Sequence, residues 1–118
     1  MNKKGRLFII SGPSGAGKSS LIGDALKELK NFKKSISVTT RAMRGNEKNG
    51  VEYMFVDDNR FEEMMRDDSF LEWAKYSDCY YGTPREFVEH NLSSGTNIIL
   101  EIDVSGAMQV KKKLTKLT

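Results

Sequence analysis

The sequence predicts an α/β fold interrupted by an inserted subdomain, and three observations carry that prediction. A short apolar run, Leu7 to Ser11, leads through a glycine-rich turn into a stretch of helical periodicity. A second apolar run, Asn97 to Ile102, is likewise followed by an amphipathic segment. Between the two lies a mixed region of short alternating runs whose charge has the opposite sign. Residues 1–34 hold eight basic and two acidic side chains, residues 35–90 seven and twelve, and residues 91–118 four and two, giving +6, −5 and +2 within a formal total of +3.

Taken in order, Leu7 to Ser11 is continuous and apolar, as in a parallel strand buried on both faces. From Ser20 to Lys30 the residues Leu21, Ile22, Ala25, Leu26 and Leu29 recur at helical spacing with Lys and Glu between them. Lys34 to Thr39 alternates as one strand, Arg41 to Gly50 is a polar loop, and Val51 to Val56 is strand-like again. Asp57 and Asp58 are candidate N-caps for a helix through Phe61, Met64 and Met65. Phe70 to Tyr76 reads as a strand. Thr83-Pro84-Arg85-Glu86 has the form of a helix start, with an N-cap, proline at the first position and glutamate at the third, and Gly95 marks that helix's end. Asn97 to Ile102 is a second buried strand. In the last helix Ala107, Val110, Leu114 and Leu117 form the apolar stripe and Lys111-Lys112-Lys113 a solvated face. Trp73, Phe70 and the Met64/Met65 pair are expected to pack.

Composition excludes several classes of function. With 38% apolar residues, 30% charged residues and no apolar run longer than four, no membrane span is expected, and Leu7 to Ile10 is too short for the apolar part of a signal peptide. A cytoplasmic protein is the expectation. A single cysteine, Cys79, forms no internal disulfide, and with a single histidine, His90, it is too little for a structural zinc site; we expect an inert thiol and a surface helix residue. The alternation of charge argues against a continuous nucleic-acid-binding stripe.

Chemistry enters with Gly12-Pro13-Ser14-Gly15-Ala16-Gly17-Lys18-Ser19, which fits G-x-x-x-x-G-K-[ST] between a strand and a helix. Such a loop aims backbone N–H groups and a helix N-terminus at phosphates. Lys18 would reach the β- and γ-phosphates, the Ser19 hydroxyl would hold Mg²⁺, and Ser20 would add a hydrogen bond at the helix start. This predicts nucleotide binding on a parallel-sheet core of the P-loop nucleoside-triphosphate-hydrolase type. The motif does not choose among GTPases, ATPases, transporters and small-molecule kinases.

The remaining blocks choose. Together with the P-loop, Ser37-Val38-Thr39-Thr40-Arg41, Gly50-Val51-Glu52-Tyr53-Met54-Phe55-Val56, Phe70-Leu71-Glu72-Trp73-Ala74, Tyr80-Tyr81-Gly82-Thr83 and Leu100-Glu101-Ile102-Asp103 resemble guanylate kinases, which transfer the γ-phosphoryl group of ATP to GMP. The resemblance covers essentially the whole chain. It implies a partial P-loop core at 1–38 and 92–118 and an inserted mixed α+β GMP-binding subdomain at 39–91. It implies ATP and GMP as partners and Mg²⁺ with ATP as cofactor. Lys18, Arg41 and Arg44 are the implied catalytic residues, and Ser37, Arg41, Arg44, Tyr53, Glu72, Tyr81, Thr83 and Asp103 the implied GMP ligands. Ser19 and, through water, Glu101 are the implied metal donors.

The residue chemistry agrees. Two guanidinium forks three residues apart suit a monophosphate, and phenolic O–H groups at Tyr53 and Tyr81 can join them; the same residues also suit a solvated loop and a half-buried packing role. Guanine presents N1–H and N2–H₂ as donors, so a carboxylate is its natural reader; Glu72, flanked by Leu71 and Trp73, needs a partner if its face is covered. Glu101 and Asp103 share a face at the carboxyl end of a buried strand, where open α/β sheets place ligands, although Asp103 also fits a helix N-cap. Met43 and Gly45-Asn46 stand where the family usually has proline and Pro-Gly, which predicts a floppier arginine loop, and Ser105 stands where it usually has glutamine. Guanylate kinases continue past the segment matching Thr118 into an arginine-bearing lid, so as a 118-residue chain the protein is expected to bind nucleotide and turn over weakly or not at all. The alternatives are a guanylate-kinase-like protein-interaction module and another nucleoside-monophosphate kinase.

Overall fold

The computed structural model describes residues 4–11, 23 and 31–117. The predicted phosphate loop, Gly12, Pro13, Ser14, Gly15, Ala16, Gly17, Lys18, Ser19 and Ser20, and the Ser20–Lys30 helix apart from helical Gly23, lie outside the described residues. The chain divides into two compact units, Met1–Ser35 with Phe87–Thr118, and Ile36–Glu86.

The first unit is built on a three-stranded parallel sheet in the order β1-β7-β2, from β1 (Leu7–Ile10), β2 (Phe32–Lys34) and β7 (Asn97–Glu101). Ile98, Ile99 and Leu100 of the central strand are buried, as an apolar run paired on both sides should be. β1 departs from expectation. Phe8 and Ile9 are 41% and 37% exposed, because β1 is an edge strand among the described residues and bonds only β7. Val88 and Val110 complete the unit's apolar interior from helix α2 (Arg85–Ser93) and helix α3 (Val104–Leu117). Gly95, at φ +87°, turns the chain out of α2, and its N–H donates to the Leu92 carbonyl. His90 is exposed on α2, as expected.

The second unit is a four-stranded sheet, β4-β3-β6-β5, with one helix. Its elements are β3 (Val38–Thr39), β4 (Met54–Phe55), helix α1 (Asp58–Arg66), β5 (Phe70–Tyr76) and β6 (Cys79–Pro84). Asp57 is the N-cap of α1, accepting from the Arg60 N–H at 2.7 Å. Phe61 of α1 stacks on Phe70 at 4.5 Å and Tyr80 at 5.0 Å between ring centroids, over a core completed by Val38, Val56, Met64 and Met65.

Three expectations about this region are corrected. The alternating run Lys34 to Thr39 is two strands in different sheets: β2 ends at Lys34, and the pairing of Val38 and Thr39 belongs to β4 and β6. Of Val51 to Val56 only Met54 and Phe55 form a strand; Val51 and Glu52 lie in a turn opened by Gly50 at φ +87°. Thr83 is not a helix cap. It lies within β6, antiparallel to β5 and opposite Glu72, and the helix begins only at Arg85, after Pro84 has ended the strand. The turn joining β5 to β6 is the two-residue Ser77-Asp78 pair, both at positive φ, the geometry that matches the twist of a tight hairpin.

Candidate functional site

Alternation along the strands sorts the second unit's sheet into two faces. Val38 opposes Gly82, and Trp73 also opposes Gly82, so these residues share the face of Tyr80 and Phe61. Gly82 allows the close packing there: a Cβ on it would lie 2.6 Å from Cδ1 of buried Phe70. Trp73, expected to pack, meets Tyr80 edge-on but stays 38% exposed. The other face takes the intervening positions. Thr39 pairs with Tyr81, and Glu72 with Thr83, which brings Tyr81, Thr83 and Glu72 to one side of the sheet.

On that side Glu72 is 7% and Thr83 1% exposed, and the Thr83 hydroxyl donates to Glu72 Oε1 at 2.7 Å. A carboxylate taken out of water needs such a donor. The hydroxyl also fixes which way Glu72 faces.

A second cluster forms where β3 ends. Thr39 Oγ1 donates to the Tyr80 carbonyl at 2.8 Å and accepts from the Arg41 N–H at 3.1 Å, while the Tyr80 N–H donates to Thr40 Oγ1 at 2.8 Å. These bonds fasten the start of the arginine loop to the sheet. Arg41, its side chain 10% exposed, lies with Cζ 5.1 Å from the Tyr53 ring centroid and 5.8 Å from that of Phe55. The rings of Tyr53 and Tyr81 meet edge-on at 6.0 Å. Arg41, Tyr53 and Tyr81 are therefore together. Arg44 is in the same loop with its side chain exposed.

Sequence reasoning missed Glu47. Arg41 Nη1 and Nη2 donate to its two carboxylate oxygens at 3.1 and 2.8 Å, and the Arg44 N–H donates to Oε1 at 2.8 Å. Glu47 thus ties both arginines across the loop that Met43 and Gly45-Asn46 were expected to loosen. The Arg41 hydrogen bond, followed by that from Arg44, holds the Glu47 carboxyl below its ordinary value, and Glu47 in turn raises Arg41. The available signal was an acid three residues after Arg44 in a loop otherwise basic and polar.

Ser37 immediately precedes β3, half-buried, and its carbonyl accepts from the Met54 N–H at 2.9 Å. Glu101 and Asp103 belong to the other unit. Glu101 closes β7 opposite Ile10 and pairs with Lys34 Nζ at 3.3 Å. Asp103 is exposed and caps α3, Oδ1 accepting from the Gly106 N–H at 2.7 Å. Among the described residues no group of three or more His, Cys, Asp or Glu side chains forms a metal-binding cluster, and no helix is long and apolar enough to cross a membrane. Cys79 is a free, half-buried thiol.

Residues 4–117 match the family model described as guanylate kinase. The guanylate kinase of Syntrophomonas wolfei is 51% identical over 114 residues, covering 97% of this chain and 58% of that protein. That of Caldanaerobacter subterraneus is 49% identical over 113 residues, covering 96% of this chain and 55% of that protein. The crystal structure of guanylate kinase from Anaplasma phagocytophilum superposes with a TM-score of 0.79 at 33% identity, covering 98% of this chain and 57% of that one. The chain therefore spans a little over half the length of these relatives.

Proposed function

The chain belongs to the guanylate kinase family, and from that premise we propose that the protein transfers the γ-phosphoryl group of ATP to GMP in the cytoplasm, with GMP held by the unit Ile36–Glu86. The observation that carries this reading is the buried Glu72–Thr83 pair on the sheet face shared with Tyr81. A carboxylate oriented there accepts from guanine N1–H and N2–H₂, and adenine, which lacks both donors, makes neither bond. Ser37 serves O6. The nucleotide's phosphate falls to Arg41 and Arg44, with Tyr53 and Tyr81 adding phenolic donors. The Arg41 stack on Tyr53 supports this role, because it presents a guanidinium whose plane is already fixed.

On the donor side, the loop Gly12 to Ser20 binds ATP, with Lys18 on the β- and γ-phosphates. The donor set suits Mg²⁺: Ser19 and Glu101 offer hard oxygens, and Glu101 stands half-buried at the carboxyl end of β7. The ion would be held mainly by ATP phosphates and would neutralise charge on them. Lys18, Arg41 and Arg44 hold the two phosphate groups for in-line transfer, with no covalent enzyme intermediate.

Calorimetric titration tests the reading. We expect GMP to bind the chain more tightly than AMP by roughly tenfold or more, the range that paired base edges give. Equal binding of GMP and AMP would overturn it.

A further inference from the structure

Glu47 sits on the arginine that the proposed function assigns to the nucleotide's phosphate, and two opposite roles follow from that position. It either competes with the phosphate for Arg41 or prepares Arg41 for it. The hydrogen-bond inventory separates them. A guanidinium has five N–H hydrogens in a fixed plane: two shared end-on by Nη1 and Nη2, two side-on by Nε and Nη2, and one outer hydrogen on Nη1. Glu47 takes one from each terminal nitrogen, at 3.1 and 2.8 Å, which is the end-on edge. The Ala42 carbonyl takes the second hydrogen of Nη1 at 3.0 Å. Among the described residues, the side-on edge, Nε–H with the second Nη2–H, is left for another acceptor. That edge is a complete bidentate fork.

We propose that Glu47 is a positioning residue for the acceptor's phosphate: it clamps the end-on edge of Arg41 so that the side-on edge is held ready for a phosphomonoester. The inference rests on the reading of this unit as the GMP site. Two further features support it. The guanidinium is also stacked over Tyr53 and Phe55, so the carboxylate and the rings together fix both its tilt and its rotation. The same carboxylate accepts from the Arg44 backbone N–H at 2.8 Å, so one side chain sets the spacing of the two arginines in the loop. Arg41, Arg44 and Glu47 sum to a single positive charge. That suits an acceptor that must be held firmly and then released as product.

The test is calorimetric titration of the chain with GMP and with guanosine, for the parent, Glu47→Gln, Glu47→Asp, Arg41→Ala and the Arg41→Ala/Glu47→Gln double variant. Glu47→Gln keeps an acceptor for the Arg44 N–H but loses the second acceptor oxygen for Arg41. GMP affinity is expected to fall on the order of tenfold, within the range of couplings inside one hydrogen-bonded network, with guanosine affinity unchanged. Glu47→Asp, which keeps the charge and shortens the reach, should fall between. In the Arg41→Ala background Glu47→Gln should cost nothing further, which a general loss of folding would not reproduce. A Glu47→Gln chain that binds GMP as tightly as the parent, or more tightly, overturns the proposal in favour of competition. Equal loss of guanosine binding in both Glu47 variants overturns it in favour of a purely structural role. A parent that binds GMP no better than guanosine is a distinct result, which overturns the assignment of the phosphate site and the inference with it.

Discussion

Replacing Thr83 by valine removes one hydroxyl and leaves the shape of the side chain nearly intact, so its effect isolates a single bond. In the native chain that hydroxyl donates to Glu72 Oε1 at 2.7 Å, with Thr83 1% and Glu72 7% exposed. Water has little access to replace the lost donor, and the valine methyl offers none. A hydrogen bond to a charged group contributes about 1.5–3 kcal/mol, and a buried acceptor stripped of a partner loses most of that. For a chain of 118 residues the unfolding entropy is about 0.25 kcal/mol/K, so the change corresponds to a fall in Tm of roughly 6–12 °C. Thermal unfolding followed by circular dichroism measures it, with Thr83→Ser as the control that restores the hydroxyl on a smaller side chain. The serine variant should recover most of the loss. GMP titration of the same proteins adds the functional half: the valine variant should bind GMP more weakly, because Glu72 is no longer held in one orientation. A valine variant that melts with the parent and binds GMP equally would refute the reasoning at its root, since Glu72 would then need nothing from Thr83.

Four further outcomes are expected. Glu72→Gln keeps an acceptor for Thr83 but offers guanine one acceptor and one donor in place of two acceptors; GMP affinity should fall by about tenfold or more while Tm stays near the parent's, and an unchanged GMP titration would count against the guanine assignment. Arg41→Lys loses the planar fork and the stack on Tyr53, so GMP binding should weaken while guanosine binding holds, as competitive titration would reveal. Gly82→Ala puts a Cβ 2.6 Å from Phe70 Cδ1, and Phe70 cannot yield because Phe61 stacks on it; chemical denaturation should show a loss of about 1–3 kcal/mol. Acid titration should reveal Glu47: its folded-state value lies below the ordinary 4.5, so its stabilisation is complete above that pH and is lost as pH falls through the folded value, and Glu47→Gln should remove that component of the stability profile.

The strands that sequence reading placed well are those whose pattern and surroundings agree. Phe70–Tyr76 and Asn97–Glu101 are bounded by turn residues and paired on at least one side over most of their length, so local preference and tertiary pairing point the same way. The misplaced segments are those where a local signal was real but tertiary structure used it differently. Thr83-Pro84-Arg85-Glu86 satisfies the local rules for a helix start. Yet the Thr83 hydroxyl has two possible customers, the backbone N–H of a first helical turn and a buried carboxylate across a strand, and the carboxylate has it. The β6 strand was hidden for a related reason. Its hairpin turns through Ser77-Asp78, a pair without the glycine that usually marks two positive-φ positions.

The site divides along the same line. Arg41, Tyr53, Glu72 and Tyr81 are residue types whose chemistry announces itself, and their blocks carried the family resemblance. What no pattern conveyed is how each is held. Thr83 orients Glu72, Thr39 fastens the root of the arginine loop to Tyr80, and Glu47 clamps Arg41, in each case through a hydrogen bond between residues far apart or in a loop without periodicity. The first two follow from the register of β3, β5 and β6, which is fixed only when the sheet closes, and the third from the fold of the loop itself. Binding a small, highly charged acceptor depends on these supports as much as on the groups that touch it, because a guanidinium or carboxylate free to rotate spends interaction energy on being ordered. The mutation most informative about this protein is therefore Glu47→Gln, which leaves every proposed ligand in place and changes only whether it is aimed.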